Sequence, residues 1–453
     1  MKTYYRTKYL FVFFTLILFS SSLFSQKKPE KSDKDKKEKT YSDIITDKAV
    51  TDQGLFDVHK VDEKYYYEIN DSLLDRDMLM VTRIAKMAKE IPLGAHKLSE
   101  QVLSWQKFDN NLLLKELSFS NYASDSLPIK EAVSNSNFEP IIASFKIEVV
   151  NKDKNSYVID VTSLYKNDVK SFGYPQSSRK RNNITSLDTK LSFIESIRSF
   201  PLNIEAKHIK TYKSSNAKNG QISMLLNNSM ILLPKEPMKR RYFDERVGWF
   251  TTSQTDYGID NQEAETVTFL DRWRLEVKDE DIEKFKNGEL VEPKKPIVYY
   301  IDRATPMKWR KYLKQGIEDW NAAFEEAGFK NAVICKDPPT EEEDPDWSPE
   351  DVRYSTVRYL ASSTLNANGP HVSDPRSGEI IESDINWYHN VMKLLRNWYF
   401  VQASAVDPEA RGVEFRNEVM GELIRFVSSH EFGHTIGLPH NMGSSSAYPV
   451  DSL

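Results

Sequence analysis

The chain is organised around a short stretch near its C-terminus, His430-Glu431-Phe432-Gly433-His434-Thr435-Ile436-Gly437-Leu438-Pro439-His440. His430 and His434 are four residues apart, so a helix would place both imidazole rings on one face, about one turn apart. Gly437 can adopt the left-handed conformation that ends a helix, and the turn would bring His440 back toward the other two rings. Three of the eight histidines of the chain are therefore predicted to converge.

This pattern predicts a catalytic zinc site. Three neutral histidine nitrogens leave the fourth tetrahedral position of zinc open for water. Zinc lowers the pKa of that water from about 15.7 toward about 7 and polarises a carbonyl oxygen. We predict that His430, His434 and His440 bind one Zn²⁺ and that Glu431 accepts the proton of the water as the general base.

The stretch resembles the metzincin clan of zinc peptidases, because it fills every fixed position of the pattern HExxHxxGxxH. An amphipathic helix with two core-facing histidines would explain HExxH alone, but it explains the GxxH extension less well. The whole chain resembles exported bacterial zinc-dependent metalloproteases with N-terminal domains of unknown function. The turn Asp374-Pro375-Arg376-Ser377-Gly378-Glu379 agrees with that resemblance. The resemblance implies an endopeptidase that hydrolyses peptide bonds in a peptide or protein substrate.

The N-terminus has the features of a secretory signal over residues 1–25. Three basic residues precede an apolar run at 10–19 that is too short to span a membrane, and small residues allow cleavage before Gln26. We therefore expect export to the periplasm or the extracellular space, with no stable membrane span after cleavage. A retained short membrane anchor is the alternative. Residues 26–40 are predicted to form a disordered charged linker.

Charge and cysteine content narrow the function classes. Signal cleavage would remove three positive charges and change the net charge from −5 to −8, which argues against nucleic acid or an anionic membrane as partner. Cys335 is the only cysteine, so no internal disulfide can form. It lies in an apolar run at 332–335 that predicts a buried strand. A cysteine that blocks the zinc is excluded for the front half of the chain.

The fold class is predicted as α+β, with a β-rich region over residues 41–291 that could divide into two subdomains near residue 95. Apolar, β-rich runs alternate there with polar turns such as Asp109-Asn110-Asn111. The region holds three histidines that are isolated in sequence and are predicted to be structural or surface residues: His59, His96 and His208. It carries no catalytic motif, and a pro-segment, a substrate-guiding domain and a scaffold all stay open.

Beyond residues 293–296 the pattern changes to alternating strands and helices, which is typical of a mixed α/β sheet. We predict strands at 297–302, 332–336, 353–361, 369–373 and 379–387, and helices at 309–327, 388–401 and 413–437. By resemblance, residues 296–453 form the N-terminal half of a metzincin-like catalytic domain, with a mixed five-stranded sheet and two long helices.

In metzincins the edge strand before this turn pairs with extended substrate, which is strand addition to a sheet edge. By that resemblance the substrate-binding residues are Gly369, Pro370, His371 and Val372. For His371, an edge-strand side chain with no role in catalysis is the favoured interpretation. A Ca²⁺ site in the acidic loop at 341–351 is conceivable, although the loop matches no defined ligand pattern and is better explained as solvated.

The C-terminus departs from the metzincin pattern. Metzincins place a Met-containing turn some tens of residues after the third histidine, whereas Leu453 lies thirteen residues after His440. Met442 is too close to be that turn. We expect the catalytic domain to be incomplete because the chain is a fragment of a longer protein; a truncated gene is the alternative.

Two other functions compete with the peptidase hypothesis. One is a non-catalytic, zinc-stabilised binding or adhesion module, which a fourth protein ligand would favour; the stretch from His434 to His440 offers no cysteine or carboxylate. The other is a zinc hydrolase of a non-peptide substrate. A predicted edge strand for peptide argues only weakly against it, since a fold does not determine a substrate.

Overall fold

Antiparallel strands dominate the first half of the chain. The computed structural model describes residues 39–87 and 97–449, and the described residues from Thr40 onward belong to one compact unit. The predicted signal at 1–25, nearly all of the predicted linker at 26–40 and His96 lie outside the described residues. Within the described part, no helix is both long and apolar enough to cross a membrane.

The described part of residues 41–291, here called the front region, contains fifteen strands. They are β1 (Val50–Asp52), β2 (Asp57–Val61), β3 (Lys64–Asn70), β4 (Met78–Met87), β5 (Lys97–Phe108), β6 (Asn111–Leu117), β7 (Asn121–Tyr122), β8 (Ile141–Asn151), β9 (Ser156–Asp160), β10 (Ile184–Leu187), β11 (Phe193–Ser199), β12 (Asn203–Ser214), β13 (Gln221–Leu232), β14 (Thr251–Asp256) and β15 (Glu265–Leu270).

Twelve of these strands form one sheet in the order β1-β2-β3-β9-β8-β6-β5-β4-β13-β12-β10, with β11 also paired to β12. The remaining three form a small sheet in the order β15-β14-β7. The predicted turn at Asp109-Asn110-Asn111 is confirmed, since β5 and β6 pair from Phe108 and Asn111 onward. Trp105 and Tyr67 are fully buried in the main apolar cluster of the large sheet. The strand-rich front region predicted from the sequence is therefore confirmed.

The second half adds seven strands: β16 (Ile297–Ile301), β17 (Val333–Lys336), β18 (Ser355–Leu360), β19 (Ala367–Asn368), β20 (Val372–Asp374), β21 (Glu379–Glu382) and β22 (Ile385–Tyr388). A five-stranded sheet has the order β17-β16-β18-β22-β19, in which only the β19–β22 pair is antiparallel. Strands β20 and β21 form a separate hairpin. Cys335 is buried in β17, as predicted.

Ten α-helices accompany the strands in the described residues. They are α1 (Tyr41–Ile44), α2 (Ile129–Ser136), α3 (Thr162–Lys166), α4 (Gln176–Arg181), α5 (Ile282–Lys286), α6 (Met307–Glu318), α7 (Asn321–Glu326), α8 (Val391–Ala403), α9 (Asn417–Thr435) and α10 (Ser444–Ala447). Short 3-10 turns lie at Asp71–Leu73, Lys170–Phe172, Thr189–Leu191, Asp279–Asp281 and Pro408–Arg411. The overall class is mixed α+β, as predicted.

Helices α6 and α9 pack against each other with very little space between them. A Cβ on Gly316 would stand 2.3 Å from the carbonyl oxygen of Arg425, and a Cβ on Gly421 would stand 2.1 Å from the ring of Tyr312. Glycine at both positions lets the two helices approach closely. Because α9 carries two of the motif histidines, this contact fixes the helix that holds them.

The predicted helix at 309–327 is wrong as one element, because it is broken between α6 and α7. At the break the indole N–H of Trp320 donates to the carbonyl of Ser429 at 2.9 Å. The side-chain amide of Asn321 bonds to both the backbone N–H and the carbonyl of Val333. Both side chains at the break are therefore held by backbone groups that are distant in sequence. The predicted stop at Gly328 is confirmed, with φ +92°.

The predicted edge strand at 369–373 also differs from the structure. The edge of the five-stranded sheet is β19, which ends at Asn368, and β20 leaves the sheet to pair with β21. Gly369 packs tightly on α9, and Pro370 has no N–H for a sheet ladder. The chain therefore turns away before His371. The turn at 374–378 is confirmed by the β20–β21 pairing and by φ +73° at Gly378.

Candidate metal centre

Helix α9 places the first two motif histidines in its last turns. Its buried side includes Ile424 and Phe432, so core packing holds the helix while His430 stays exposed. After the helix ends, Gly437 has φ +113°, the left-handed conformation predicted for it. The N–H of Leu438 donates to the carbonyl of Gly433 at 3.0 Å, which closes the turn. The chain then returns and brings His440 to the end of the helix.

The three histidines meet at their Nε2 atoms. Each Nε2 of His430, His434 and His440 lies 3.1 Å from the other two. Zinc–nitrogen bonds of 2.0–2.1 Å in a tetrahedral arrangement place neighbouring ligand nitrogens about 3.3 Å apart. The geometry of the cluster therefore fits a zinc ion. Among the described residues, it is the only group of three or more histidine, cysteine or acidic side chains close enough to share an ion.

The protonation states also suit metal binding. Nδ1 of His434 lies 2.7 Å from the carbonyl oxygen of Leu438, so Nδ1 carries the proton and Nε2 presents its lone pair. Burial, together with the neighbouring His434 and His440 rings, lowers the pKa of His430. His430 is therefore neutral near pH 7, as a metal ligand must be.

Glu431 sits on the inner side of α9. Its side chain is buried, and burial raises its pKa to about 7, although a hydrogen bond from the backbone N–H of Gly369 acts in the opposite direction. Its Oε2 atom is buried and has no hydrogen-bond partner among the described residues. A buried carboxylate oxygen without a partner costs free energy, so its presence here points to a ligand or a reaction rather than to packing.

Residues 412–453 match a protein-family model described as Met-zincin. The match covers α9, the turn after it and all three histidines, which also fit the pattern HExxHxxGxxH. Over residues 412–453 the chain is therefore similar to the metzincins. The match and the cluster together support a zinc metalloprotease.

The region in front of this metzincin part matches two families without an assigned role. Residues 38–87 match a domain of unknown function, DUF5118, and residues 95–278 match another, DUF5117. No curated protein and no solved structure matches the chain.

The four residues predicted to bind substrate have different surroundings in the structure. Gly369 touches Glu431 directly, and His371 bonds to Asp271 with 3.1 Å between Nε2 and Oδ2. The carbonyl of Pro370 accepts a hydrogen bond from Ser383 at 2.6 Å. Val372 is 3% exposed and belongs to a different apolar cluster, with Leu233 and Val352. Gly369 is therefore the predicted residue nearest to the catalytic candidate.

Four residues of the front region lie at the metal centre and were missed by the sequence analysis. Trp249 and Phe250 precede β14, and Asp271 and Trp273 follow β15. The ring of Phe250 lies between those of His371 and His434, with centroid distances of 5.4 Å and 6.2 Å. Nothing in the spacing of these residues relates them to a motif more than 150 residues away.

The other residues considered from the sequence have structural partners. His59 is buried and bonds to Thr51 and Glu68, and His208 is buried and bonds to Asn228. In the acidic loop, Glu350 pairs with Lys207 and Arg358, and Asp351 pairs with Arg353. The structural role predicted for His59 and His208 is confirmed.

Proposed function

We propose that the chain is an exported zinc-dependent endopeptidase in which His430, His434 and His440 bind one Zn²⁺ and Glu431 is the general base. One observation carries the proposal. Three histidine Nε2 atoms, mutually 3.1 Å apart, share a helix end with a buried carboxylate whose Oε2 has no partner.

The residues have different roles in the proposed reaction. Zinc bound by the three histidines would polarise a substrate carbonyl and lower the pKa of a water molecule toward about 7. Glu431 would accept a proton at Oε2 and later donate it to the leaving amine. The N–H of Gly369 would favour the charged form of this carboxylate, which is the form that accepts the proton. The three-histidine group contains no fourth protein ligand among the described residues, which favours catalysis over a purely structural zinc.

The proposed substrate class is inferred from the position of β19 in the five-stranded sheet. Strand β19 is at the edge of the five-stranded sheet, and the chain passes directly from it to Gly369, which contacts Glu431. An extended peptide added to β19 would therefore run past the candidate base. We propose a peptide or protein substrate, with residues 296–453 as the catalytic domain and residues 41–291 as a front region. Export depends on the predicted signal at 1–25.

The test combines zinc content with hydrolysis of casein. In the longer protein of which this chain is expected to be a fragment, we expect one bound zinc and cleavage of casein, and we expect Glu431→Gln to keep the zinc and to lose turnover by about 10²-fold or more. Glu422→Gln is the matched control, since Glu422 is on the same helix and pairs only at the surface with Arg425. Unaltered hydrolysis by Glu431→Gln would remove Glu431 as the base. One bound zinc without cleavage of any peptide pool would favour the binding-module hypothesis.

A further inference from the structure

The turn that leads to the third histidine is held by residues from the front region. We call Trp249, Phe250, Asp271 and Trp273 the zinc-turn clamp. The indole N–H of Trp273 donates to the carbonyl of Thr435 at 3.0 Å. The backbone N–H of Phe250 donates to the carbonyl of Gly437 at 2.7 Å.

These two bonds give hydrogen-bond donors to carbonyl groups at and just after a helix end. The last carbonyl groups of a helix have no partner within the helix, and leaving them buried without one costs free energy. Thr435 is the last residue of α9 and is buried, and Gly437 is the turn residue after it. The clamp supplies a donor to each of these carbonyls. The conformation of the turn is therefore determined by the front region as well as by the helix itself.

The clamp is itself held in place. The indole N–H of Trp249 donates to the carbonyl of Asp271 at 2.5 Å, and the N–H of Asp271 donates to the carbonyl of Phe250 at 2.9 Å. The hydroxyl of Thr252 donates to the Asp271 carboxylate at 2.7 Å. The β14–β15 ladder lies directly beside these bonds. A clamp braced in this way can impose one position on the turn.

Gly437 shows how closely the clamp meets the turn. A Cβ at this position would stand 2.2 Å from Nε1 of Trp249 and 2.4 Å from the carbonyl oxygen of Asp271. No side chain fits in this space. The left-handed φ of Gly437 independently favours glycine at this position. The backbone of the turn therefore contacts the clamp directly, at a point between the second and the third histidine of the cluster.

A second set of contacts connects the clamp to the histidine cluster. The carboxylate of Asp271 bonds to Nε2 of His371 at 3.1 Å, and His371 packs on one side of Phe250. The ring of Phe250 also packs near His434. The clamp thus bonds to the backbone carbonyls of the turn, and its residue Phe250 also packs near the ring of His434.

We infer that the zinc-turn clamp positions the metal ligands, so that the front region is a permanent part of the metal centre. The inference rests on one part of the proposed function, namely that the three histidines bind zinc. It assigns a role to the domain of unknown function at residues 95–278, namely that of a scaffold for the metal site. A pro-segment that is removed on activation would take these contacts away from the turn.

The experiment measures zinc affinity by competition with a chromophoric chelator, together with the melting temperature of the zinc-free protein. Trp273→Phe removes the indole N–H and keeps an aromatic ring. We expect its zinc dissociation constant to rise about ten-fold, as for other residues that orient ligands from outside the first coordination sphere. Trp398→Phe is the matched control, because Trp398 is 52% exposed on α8. Its zinc affinity should equal that of the wild type.

Two outcomes would overturn the inference in different ways. Wild-type zinc affinity in Trp273→Phe, with a lower melting temperature of the zinc-free protein, would show that the indole bond serves the fold alone. If Trp273→Phe does not fold, Trp249→Phe takes its place, since it removes the bond to Asp271 and the part of the indole ring beside Gly437, and the same ten-fold criterion applies. A wild-type chain that binds no zinc would overturn the proposed function together with the inference.

Discussion

The backbone of Gly369 lies directly against Glu431, and its N–H favours the charged form of the Glu431 carboxylate. A Cβ on Gly369 would stand 2.2 Å from the carbonyl oxygen of Glu431 and 2.8 Å from Cγ2 of Thr435. The segment that follows β19 therefore packs directly on α9. It can do so only because residue 369 has no side chain.

Gly369→Ala should consequently reduce catalysis without removing the metal. The added methyl group must push the segment away from α9, which moves the Gly369 backbone away from Glu431 and displaces the candidate base. Since small displacements of a catalytic group can cost about 10²-fold in rate, we expect kcat/KM for peptide hydrolysis to fall by about ten- to a hundred-fold. Zinc content should stay at the wild-type level.

Gly443→Ala is the control for this change, because a Cβ there would stand 3.6 Å from its nearest neighbour, an ordinary contact. Equal activity of Gly369→Ala and Gly443→Ala would contradict the role given to the close contact between Gly369 and Glu431.

The part of the site that local spacing encodes was predictable from the sequence. The four-residue separation of His430 and His434 is a helical period, and a glycine at position 437 predicts the end of the helix. Both features describe a few consecutive residues, so no knowledge of distant contacts was needed. The structure confirms both.

The rest of the site depends on contacts between distant segments. Trp273 and Thr435 are 162 residues apart in the chain, and their bond follows no periodicity or charge pattern. The same holds for the helix break at Trp320, where the indole N–H bonds to the carbonyl of Ser429. Tertiary contacts of this kind override local propensity, which is why the sequence predicted one helix and missed the clamp.

His440→Ala should lose the metal. The third nitrogen lies 3.1 Å from each of the other two, and two histidines alone leave zinc with too few protein ligands. We expect zinc content, measured by mass spectrometry of the native protein, to fall from one ion toward zero. His389→Ala is the control, since His389 is exposed and its Nδ1 bonds to Tyr359. Full zinc occupancy in His440→Ala would require another third ligand.

Chelation should both stop hydrolysis and lower stability. A ligand that binds only the folded state stabilises it by about 2.7 kcal/mol when its concentration is a hundred times its dissociation constant. We expect 1,10-phenanthroline to abolish casein cleavage and to lower the melting temperature, and added Zn²⁺ to restore both. The non-chelating isomer 1,7-phenanthroline is the control. Hydrolysis that persists after complete removal of zinc would mean that the activity resides elsewhere.

A buried carboxylate far from the histidine motif predicts how stability depends on pH. Glu205 on β12 is 4% exposed, and it accepts hydrogen bonds from Asn203, Asn227 and Ser229. Burial raises its pKa to about 8, and the nearby charge of Glu350 acts in the same direction. The folded protein therefore keeps Glu205 protonated at pH values where the unfolded chain, with an ordinary glutamate pKa, has lost the proton.

The sign of the effect follows from proton counting. Between about pH 4.5 and pH 8 the unfolded state binds fewer protons at this residue than the folded state, so the contribution of Glu205 to stability falls as pH rises. Glu205→Gln replaces the protonated acid by a neutral amide and removes this dependence. We expect the free energy of unfolding of the wild type, compared with Glu205→Gln, to decline from pH 5 to pH 8. Glu63→Gln, an exposed position in the same large sheet region, is the control. Parallel pH profiles for the wild type and Glu205→Gln would show that Glu205 is ionised in the folded protein.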